Sequence, residues 1–462
     1  MKAVLLRGMT WRSMGLIVCE TTVILLGVCL AAYLRFGGNP IVLAKAIFPR
    51  AILIAVVTQL CLYFADLYDF RVITDRRELF VRAVQALGAT SLLLAGLYFW
   101  LPELIVGRGV FVLAAVLVVA FVFGWRIVFE WTARKMGPRE RLLLVGTSDA
   151  AVRLAQELYE RHDLGVEIVG FIDPDPERIG SPVLNPSVVG TIEDIPAIVR
   201  ARSVDQVVVS LSDARGKLPM DKLLEMKLDG VTFEHLASVY ETYTGKIAVE
   251  NLRPSWLIFS PGFKKSKMQQ FVKRAIDVSV AVVGLILTAP VLALVAAAIK
   301  CTSRGPVFYR QERVGQRGRV FTVTKFRSMR DDAEKNTGAV WAKKDDDRVT
   351  PVGRILRRTR LDELPQLWNV LRGDMSFVGP RPERPEFVSS LTRQIPFYGQ
   401  RHSVRPGLTG WAQVRYTYGA SIEDAMEKLQ YDLFYIKNMS VALDLFIIAK
   451  TVKTVLMQRG AH

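Results

Sequence analysis

"RTRLDELPQLWNVLRGDMSFVGPRP", residues Arg358–Pro382, places two carboxylates, Asp362 and Glu363, side by side just after a run of arginines. Leu364, Leu367, Trp368 and Leu371 recur at i, i+3, i+4 and i+7, which is one face of a helix. Pro365 is tolerated only in a first turn, so the spacing predicts a helix that starts near Asp362, and Gly373 suits its C-cap. The carboxylates then stand at a helix N-terminus, where backbone N–H groups and the dipole stabilise negative charge. The plainest role for Asp362 there is to cap the helix. The arginines point further. Arg354, Arg357, Arg358 and Arg360 precede the pair, and guanidinium groups bind phosphate oxygens bidentately. A carboxylate among them can attack phosphorus while the arginines neutralise the equatorial oxygens. A neighbouring carboxylate can hold Mg²⁺, which bridges phosphate oxygens and lets an anionic nucleophile approach. The stretch therefore has the parts for phosphoryl-type transfer through an aspartyl intermediate.

The rest of the chain leans toward a membrane. Half of its 462 residues are hydrophobic, and the formal net charge of +17 suits an anionic partner such as lipid headgroups or a phosphorylated substrate. The basic residues are spread between membrane-adjacent segments and the catalytic stretch, not gathered in one stripe, which argues against nucleic acid. The cysteines (Cys19, Cys29, Cys61 and Cys301) lie in or beside apolar segments with no CxxC spacing, so zinc sites and a disulfide framework are not expected. Four apolar stretches, near Gly15–Leu34, Ile47–Phe64, Phe80–Leu101 and Val110–Trp131, approach the ~20 residues needed to cross a bilayer. Lys2, Arg7 and Arg12 precede the first, Arg71, Arg76 and Arg77 fill the second loop, and Arg134, Lys135, Arg139 and Arg141 follow the fourth. Arg35, Lys45, Arg50 and Arg108 lie on the other side. The bias puts both ends of the bundle in the cytoplasm.

From Arg141 the pattern changes. "RLLLVGTSDAAVRLAQEL" reads as strand, glycine turn and helix, and "EIVGFID" and "DQVVVSL" as further strands, which implies a parallel α/β sheet ending near Leu252. "RPSWLIFSPGFKKSK" then reads as a linker with a basic end. A fifth apolar stretch, Ala275–Ile299, carries Pro290 past its middle. Proline in a helix interior costs ~3 kcal/mol, so the segment either spans with a kink or enters, bends and returns to one face. Lys264, Lys265 and Lys267 before it, with Lys300 and Arg304 after it, favour re-entry if both flanks stay on the cytoplasmic side. Two amphipathic helices are expected near Ile422–Lys437 and Leu443–Met457.

The stretches "KRAIDV", "GPVFYRQERVG", "TKFRSMR", "LDELPQLWNVLRGDMSFVGPRP" and "RPGLTGWAQV" together resemble the bacterial sugar transferase family, the monotopic polyprenyl-phosphate phosphosugar transferases. The layout resembles that family's large members, which initiate exopolysaccharide, capsule or O-antigen assembly. It gives a four-helix transmembrane region over residues 1–135, a cytoplasmic Rossmann-like α/β domain over 136–252, a linker over 253–265 and an α-rich α/β catalytic domain over 266–462, with a re-entrant membrane helix at 275–299. The resemblance implies transfer of sugar-1-phosphate from a UDP-sugar to undecaprenyl phosphate at the bacterial inner membrane, with UMP leaving. It implies Asp362 as the nucleophile, Glu363 as the Mg²⁺ ligand and Arg357 and Arg381 on substrate phosphate. Lys325 and Arg327 would lie near the donor, and Pro290 at the break of the re-entrant helix. Membrane lipids are implied as partners, and by analogy a homodimer. Two departures stand out. Ala289-Pro290 replaces the family's frequent Ser-Pro, leaving Thr288 to supply the missing hydrogen bond. In "GTSDAA" only Gly146 survives of G-x-G-x-x-G, with Ser148 and Ala151 at the other positions, which argues for a regulatory or structural role over dinucleotide binding.

Two other readings compete. A membrane-anchored nucleotide-sugar dehydratase or epimerase would need an intact glycine fingerprint and a Tyr-x-x-x-Lys pair, and no lysine here follows a tyrosine by four. A non-enzymatic assembly scaffold would have no need of the Asp-Glu pair among arginines.

Overall fold

The structure, a computed structural model, describes residues 11–37, 47–65, 67–68, 76–136, 140–160, 165–210, 220–249, 260–330, 333, 347–416, 419 and 421–456. Lys2, Arg7, Lys45, Arg71 and Arg139, invoked above for orientation, and residues 253–259 of the expected linker lie outside them. The chain divides near residue 236 into two compact units.

The first unit begins with α1 (Trp11–Phe36), α2 (Phe48–Phe64), α3 (Arg76–Trp100) and α4 (Arg108–Met136). Gly15–Phe36, Phe80–Trp100 and Gly109–Phe129 are long and apolar enough to cross a membrane. The second expected span, α2, is shorter at 17 residues, roughly 26 Å of helix. Helices α1 and α4 pack closely: a Cβ on Gly27 would lie 3.3 Å from Val118. An ion pair lies within the bundle. Glu20 is fully buried inside the bundle, with Arg126 Nε at 2.5 Å from its carboxylate. The Tyr68 hydroxyl also donates to Glu20, and Arg126 donates to the Leu67 carbonyl at 3.0 Å. An ion pair buried in hydrocarbon persists only when paired in this way.

The unit continues as a parallel sheet of β1 (Glu140–Val145), β2 (Val166–Ile172), β3 (Val188–Gly190), β4 (Gln206–Val209) and β5 (Thr232–His235). Their order is β3-β2-β1-β4-β5, a doubly wound arrangement whose switch point lies between β1 and β4. Between strands run α5 (Asp149–Glu160), α6 (Ile195–Arg202) and α7 (Met220–Leu228). Leu142–Val145 are buried on both faces, as the unbroken apolar run requires.

The second unit starts earlier than the sequence suggests, near residue 237 and not after Leu252. Helix α8 (Leu236–Thr244) and the residues after it carry no strong boundary signal, but Glu241, Gly245, Lys246 and Ile247 bond to residues of the C-terminal domain. Glu241 accepts from Lys437 Nζ at 2.6 Å and from Asn438 Nδ2 at 2.9 Å. The Trp411 indole donates to the Gly245 carbonyl at 2.9 Å, and Ile247 and Val249 are buried in the same core.

Helix α9 (Lys267–Thr302) replaces the expected Ala275–Ile299 and is longer at both ends. Its start is set by a capping box in which Ser266 and Gln269 bond reciprocally. It runs on through Pro290 as one helix, and Thr288 Oγ1 donates to the Gly284 carbonyl at 2.6 Å, supplying the bond the sequence had pointed to. Lys273 and Arg274, which open "KRAIDV", are half-buried in partnerships. Lys273 Nζ reaches Asp444 at 2.8 Å and the Val378 carbonyl at 3.1 Å. Arg274 caps the end of a later helix through the Val370 and Leu371 carbonyls, at 2.6 and 2.8 Å. Further along, Ala281 and Leu285 pack with Val323 and Leu367, and Val295 and Ile299 pack with Phe326 and Leu356. Val283, Ile286, Leu287 and Leu294 remain exposed.

The domain continues with an antiparallel hairpin, β6 (Phe308–Val314) and β7 (Val320–Phe326), then α10 (Pro351–Thr359) and α11 (Gln366–Arg372). Strands β8 (Ser376–Val378) and β9 (Gly407–Thr409) run parallel, with α12 (Pro385–Gln394) between them. Then come α13 (Trp411–Arg415), α14 (Ile422–Asn438) and α15 (Val441–Leu456). The last two fall where expected, but α14 is not simply amphipathic: Leu429–Ile436 are all buried, because the helix runs through the core.

The docked segment generates a prediction. A chain of residues 260–462 should melt below one of residues 237–462, since Ile247 and Val249 alone bury side chains worth about 2 kcal/mol each. Equal unfolding midpoints in the same detergent would show that 237–249 is no part of the domain's core.

Candidate active site

Asp362 and Glu363 do not open a helix. They sit on a 3₁₀ turn, Leu361–Glu363, between α10 and α11, and α11 begins only at Gln366. The reason is Arg360, which ends α10 in the left-handed region at φ +55° and turns the chain before the pair. Leu367 is the deeply buried member of the predicted apolar face, with Leu364 and Leu371 partly buried beside it, whereas Trp368 is exposed. Gly373 does cap the helix, at φ +90°.

The two carboxylates meet different surroundings. Glu363 Oε1 takes both Arg381 Nη2 at 2.6 Å and Lys325 Nζ at 3.1 Å. Burial would raise its carboxyl, but the charges of Arg381 and Lys325 outweigh that and hold it well below the usual carboxylate range. Asp362 is 8 % exposed and has no hydrogen bond among the described residues. Burial first, and then the charge of Glu363, push its carboxyl up to about 6, against the pull of Lys325, Arg357 and Arg381. One carboxylate is thus anchored and permanently ionised. The other is buried, unbonded and poised near neutrality, as suits a nucleophile.

Arg357 lies close enough for its charge to act on Asp362, and its Nε donates to Ser328 Oγ at 3.0 Å. Arg360 acts on Glu363 in the same way, whereas Arg354 and Arg358 are exposed. Lys325 is brought into the site by β7. Arg327, two residues on, is not: its guanidinium donates to the Arg304 and Ser303 carbonyls at 2.8 and 3.1 Å and to Ser303 Oγ at 2.7 Å. It is buried in closing the end of α9, where orphan carbonyls need donors, and it does not join Lys325 on Glu363.

Arg381 arrives on a rigid segment. Gly379 donates to the Thr409 carbonyl at 2.8 Å and Gly407 donates to that of Pro380 at 2.9 Å. The backbones pass so closely that a Cβ on Gly407 would lie 2.1 Å from Gly379 N, and one on Gly410 2.2 Å from Gly379 O. "SFVGPRP" and "RPGLTGW" are therefore two neighbouring strands whose glycines permit the approach.

No group of three or more His, Cys, Asp or Glu suited to a metal occurs among the described residues. Mg²⁺ needs less, since it keeps several waters and takes one or two carboxylates plus substrate phosphate. Glu363 Oε2 has no hydrogen bond among the described residues, and Asp362 is adjacent, so this pair fits such an ion.

An open groove of about 740 Å³ runs beside α11, lined by Leu285, Leu292, Phe308, Phe326 and Trp368, with Arg310 and Arg372 in its walls. In the first unit, Thr147 donates to Asp173 at 2.6 Å, Arg178 donates to the same carboxylate at 2.9 Å, and Ser148 and Ser210 meet at 2.6 Å. Sequence reasoning missed three supports of the site: Asp277, which accepts from Phe377 N at 3.0 Å, Arg274 and Ser328. The first two lie inside "KRAIDV", where charge at a helix start was the available signal.

The family model for bacterial sugar transferases matches residues 268–458, and one for a CoA-binding domain matches residues 63–224. The UDP-N-acetylgalactosamine-undecaprenyl-phosphate N-acetylgalactosaminephosphotransferase of Aeromonas hydrophila is 44% identical over 228 residues, 49% of this chain and 53% of the relative. The undecaprenyl-phosphate glucose phosphotransferase of Komagataeibacter xylinus is 35% identical over 332 residues, 70% of this chain and 60% of the relative. This chain thus spans between half and two thirds of the length of these two. The UDP-glucose:undecaprenyl-phosphate glucose-1-phosphate transferase of Escherichia coli K12 is 34% identical over 342 residues, 71% of this chain and 70% of the relative. Motifs, matched domain and coverage agree: the chain belongs to the bacterial sugar transferase family.

Proposed function

We propose that the protein transfers sugar-1-phosphate from a UDP-sugar to undecaprenyl phosphate, through a phosphosugar-aspartyl intermediate, at the cytoplasmic face of the bacterial inner membrane. This would be an initiating step of exopolysaccharide or O-antigen synthesis. The observation that carries the reading is the division between the two carboxylates: Glu363 clamped by Arg381 and Lys325, Asp362 buried and unbonded. The names of the relatives support the class of donor and acceptor.

In the first half-reaction an Asp362 oxygen attacks the phosphorus that carries the sugar. The bond from that phosphorus to the bridging oxygen breaks, and UMP leaves with the electron pair. In the second, a phosphate oxygen of the lipid attacks the same phosphorus and the Asp362 carboxylate departs. Arg357 and Arg381 bind and orient phosphate oxygens, and their charge offsets what builds on the equatorial positions. Mg²⁺, held by Glu363 Oε2 with Asp362 alongside, would neutralise donor phosphate charge. The apolar groove, with its arginines, suits the isoprenoid end of the acceptor.

Helix α9 supports a one-sided membrane placement. Residues 273–285 and 292–299 both pack on the same catalytic domain, so a perpendicular crossing would drag the domain into hydrocarbon. Re-entry at Pro290 avoids this. Cysteine labelling in intact cells should find Asp205 and the C-terminal His462 on one side, the cytoplasmic one; opposite sides would mean a spanning helix.

Incubation with labelled UDP-sugar and no lipid should leave label on the protein, and Asp362→Asn should retain none. Equal labelling of that variant would rule out the covalent path. Glu363→Gln should raise the Mg²⁺ needed for UMP release as well as slow it. A panel of UDP-glucose, UDP-galactose and their N-acetylated counterparts identifies the sugar.

The raised carboxyl of Asp362 sets two signs. The nucleophile must be ionised, so the rate should fall as pH drops through about 6. A folded pKa above the unfolded value means the stability contributed by the protonated form is complete below the unfolded pKa and lost as pH rises through about 6. Asp362→Asn removes that neutral-pH penalty, and its unfolding midpoint should rise by a few degrees at pH 7 and not at pH 4. A midpoint that falls at pH 7 would contradict the buried, unbonded placement.

A further inference from the structure

The carbonyls of Pro380, Arg381, Pro382 and Glu383 are each taken by a separate donor. Gly407 N bonds Pro380 at 2.9 Å and Val314 N bonds Glu383 at 2.9 Å. Arg313 Nη1 bonds Pro382 at 3.0 Å, and Arg401 Nη2 bonds Arg381 itself at 3.0 Å. Two of these residues are prolines, which fix φ and carry no N–H, so the segment has few ways to move. The Arg401 bond differs from the others. Arg401 is 6 % exposed and stands on the 3₁₀ turn Tyr398–Ser403. Its guanidinium forks onto Asp432, which is 1 % exposed, with Nε at 3.1 Å and Nη2 at 2.8 Å from Oδ2. Nη1 donates to the Tyr398 hydroxyl at 2.6 Å. Burying a guanidinium and a carboxylate is costly and adds little stability over an apolar pair of the same shape. What the pair does supply is direction, because a forked guanidinium fixed by two partners can present its remaining N–H at one place only.

We infer that Arg401, locked by Asp432 and Tyr398, is a positioning residue that sets the backbone from which Arg381 reaches Glu363. The line of force runs from Asp432 on α14, through Arg401, to the Arg381 carbonyl, and out along the Arg381 side chain to Glu363 Oε1 at 2.6 Å. The inference rests on the proposed reaction for its functional consequence, but not for the contact itself. Lysine at 401 keeps a charge for Asp432 but has no fork with which to serve Tyr398 and the Arg381 carbonyl at once.

The test has two arms on the full-length protein. In the first, hydrogen exchange is followed by mass spectrometry in the peptide spanning residues 376–384. Arg401→Lys should exchange faster there than wild type, while peptides from α1 and β1 are unchanged. In the second, UMP release is measured in a double-mutant cycle with Arg381→Ala. Arg401→Lys should cost about 10- to 100-fold in the wild-type background, the range seen when support behind a ligand-holding group is lost, and little in the Arg381→Ala background. Tyr398→Phe, which keeps the ring and removes one hydroxyl, should show a smaller loss with the same dependence. An equal loss in both backgrounds, or unchanged exchange in 376–384, would overturn the inference and leave Arg401 a structural residue. Faster exchange in Arg401→Lys, with no UMP released by wild type from any UDP-sugar, would strike the proposed reaction and leave the positioning contact standing.

Discussion

One oxygen of Glu363 accepts two cations that come from distant parts of the chain, Lys325 on β7 and Arg381 after β8. Like charges converge there only because a fully ionised carboxylate lies between them, and the carboxylate stays ionised only because they converge. Much of the domain can be understood as the means of keeping that triad assembled. The hairpin β6–β7 delivers Lys325. The left-handed turn at Arg360 presents Glu363. The β8–β9 pair, closed on its glycines, carries the chain to Arg381. Asp362 takes its character from its own burial and from the charge of Glu363 beside it, with no described cation bonded to Asp362 itself.

The large divisions of the chain were legible in the sequence because each has its own period. Apolar runs of bilayer length marked the helices of the first third, and an apolar strand followed by a glycine turn marked β1. The candidate site stood out as well, because an Asp-Glu pair among arginines is chemically unusual and the surrounding motifs are long. What escaped reading was decided by tertiary contact. The residues after Leu236 look like the close of an α/β domain, yet Gly245 and Ile247 find their partners in Trp411 and Gln430, far away in sequence. Arg327 sits in a motif beside Lys325, yet β7 ends at Phe326, so Arg327 leaves the strand and turns to the Ser303 and Arg304 carbonyls. The helix start near Asp362 was misplaced because Pro365 can also follow a 3₁₀ turn, and only the backbone of Arg360 distinguishes the cases.

Buried charge has two uses in this protein. In the bundle, Glu20 and Arg126 tie α1 to α4, and Arg126 also grips the backbone after α2 through Leu67, where apolar contact alone gives little preference for one helix partner over another. In the C-terminal domain, Lys273 and Asp444, with Tyr435 donating to Asp444 at 2.7 Å, join the start of α9 to α15 and α14, and Lys273 also reaches the Val378 carbonyl of β8. Both cases place a polar contact where hydrophobic packing would be indifferent to register.

Helix α9 is fastened at its start through Lys273 and Arg274 and at its end through Arg327, and both fastenings belong to the same body. A helix that crosses a bilayer must answer to its thickness, tilting or stretching as lipids lengthen. A helix clamped at both ends to a single rigid block has no such freedom. On the proposed one-sided placement, the depth of α9 would be measured from one leaflet's surface, and headgroup packing, which decides how far a wedge can sink into that leaflet, would be the membrane property this helix answers to.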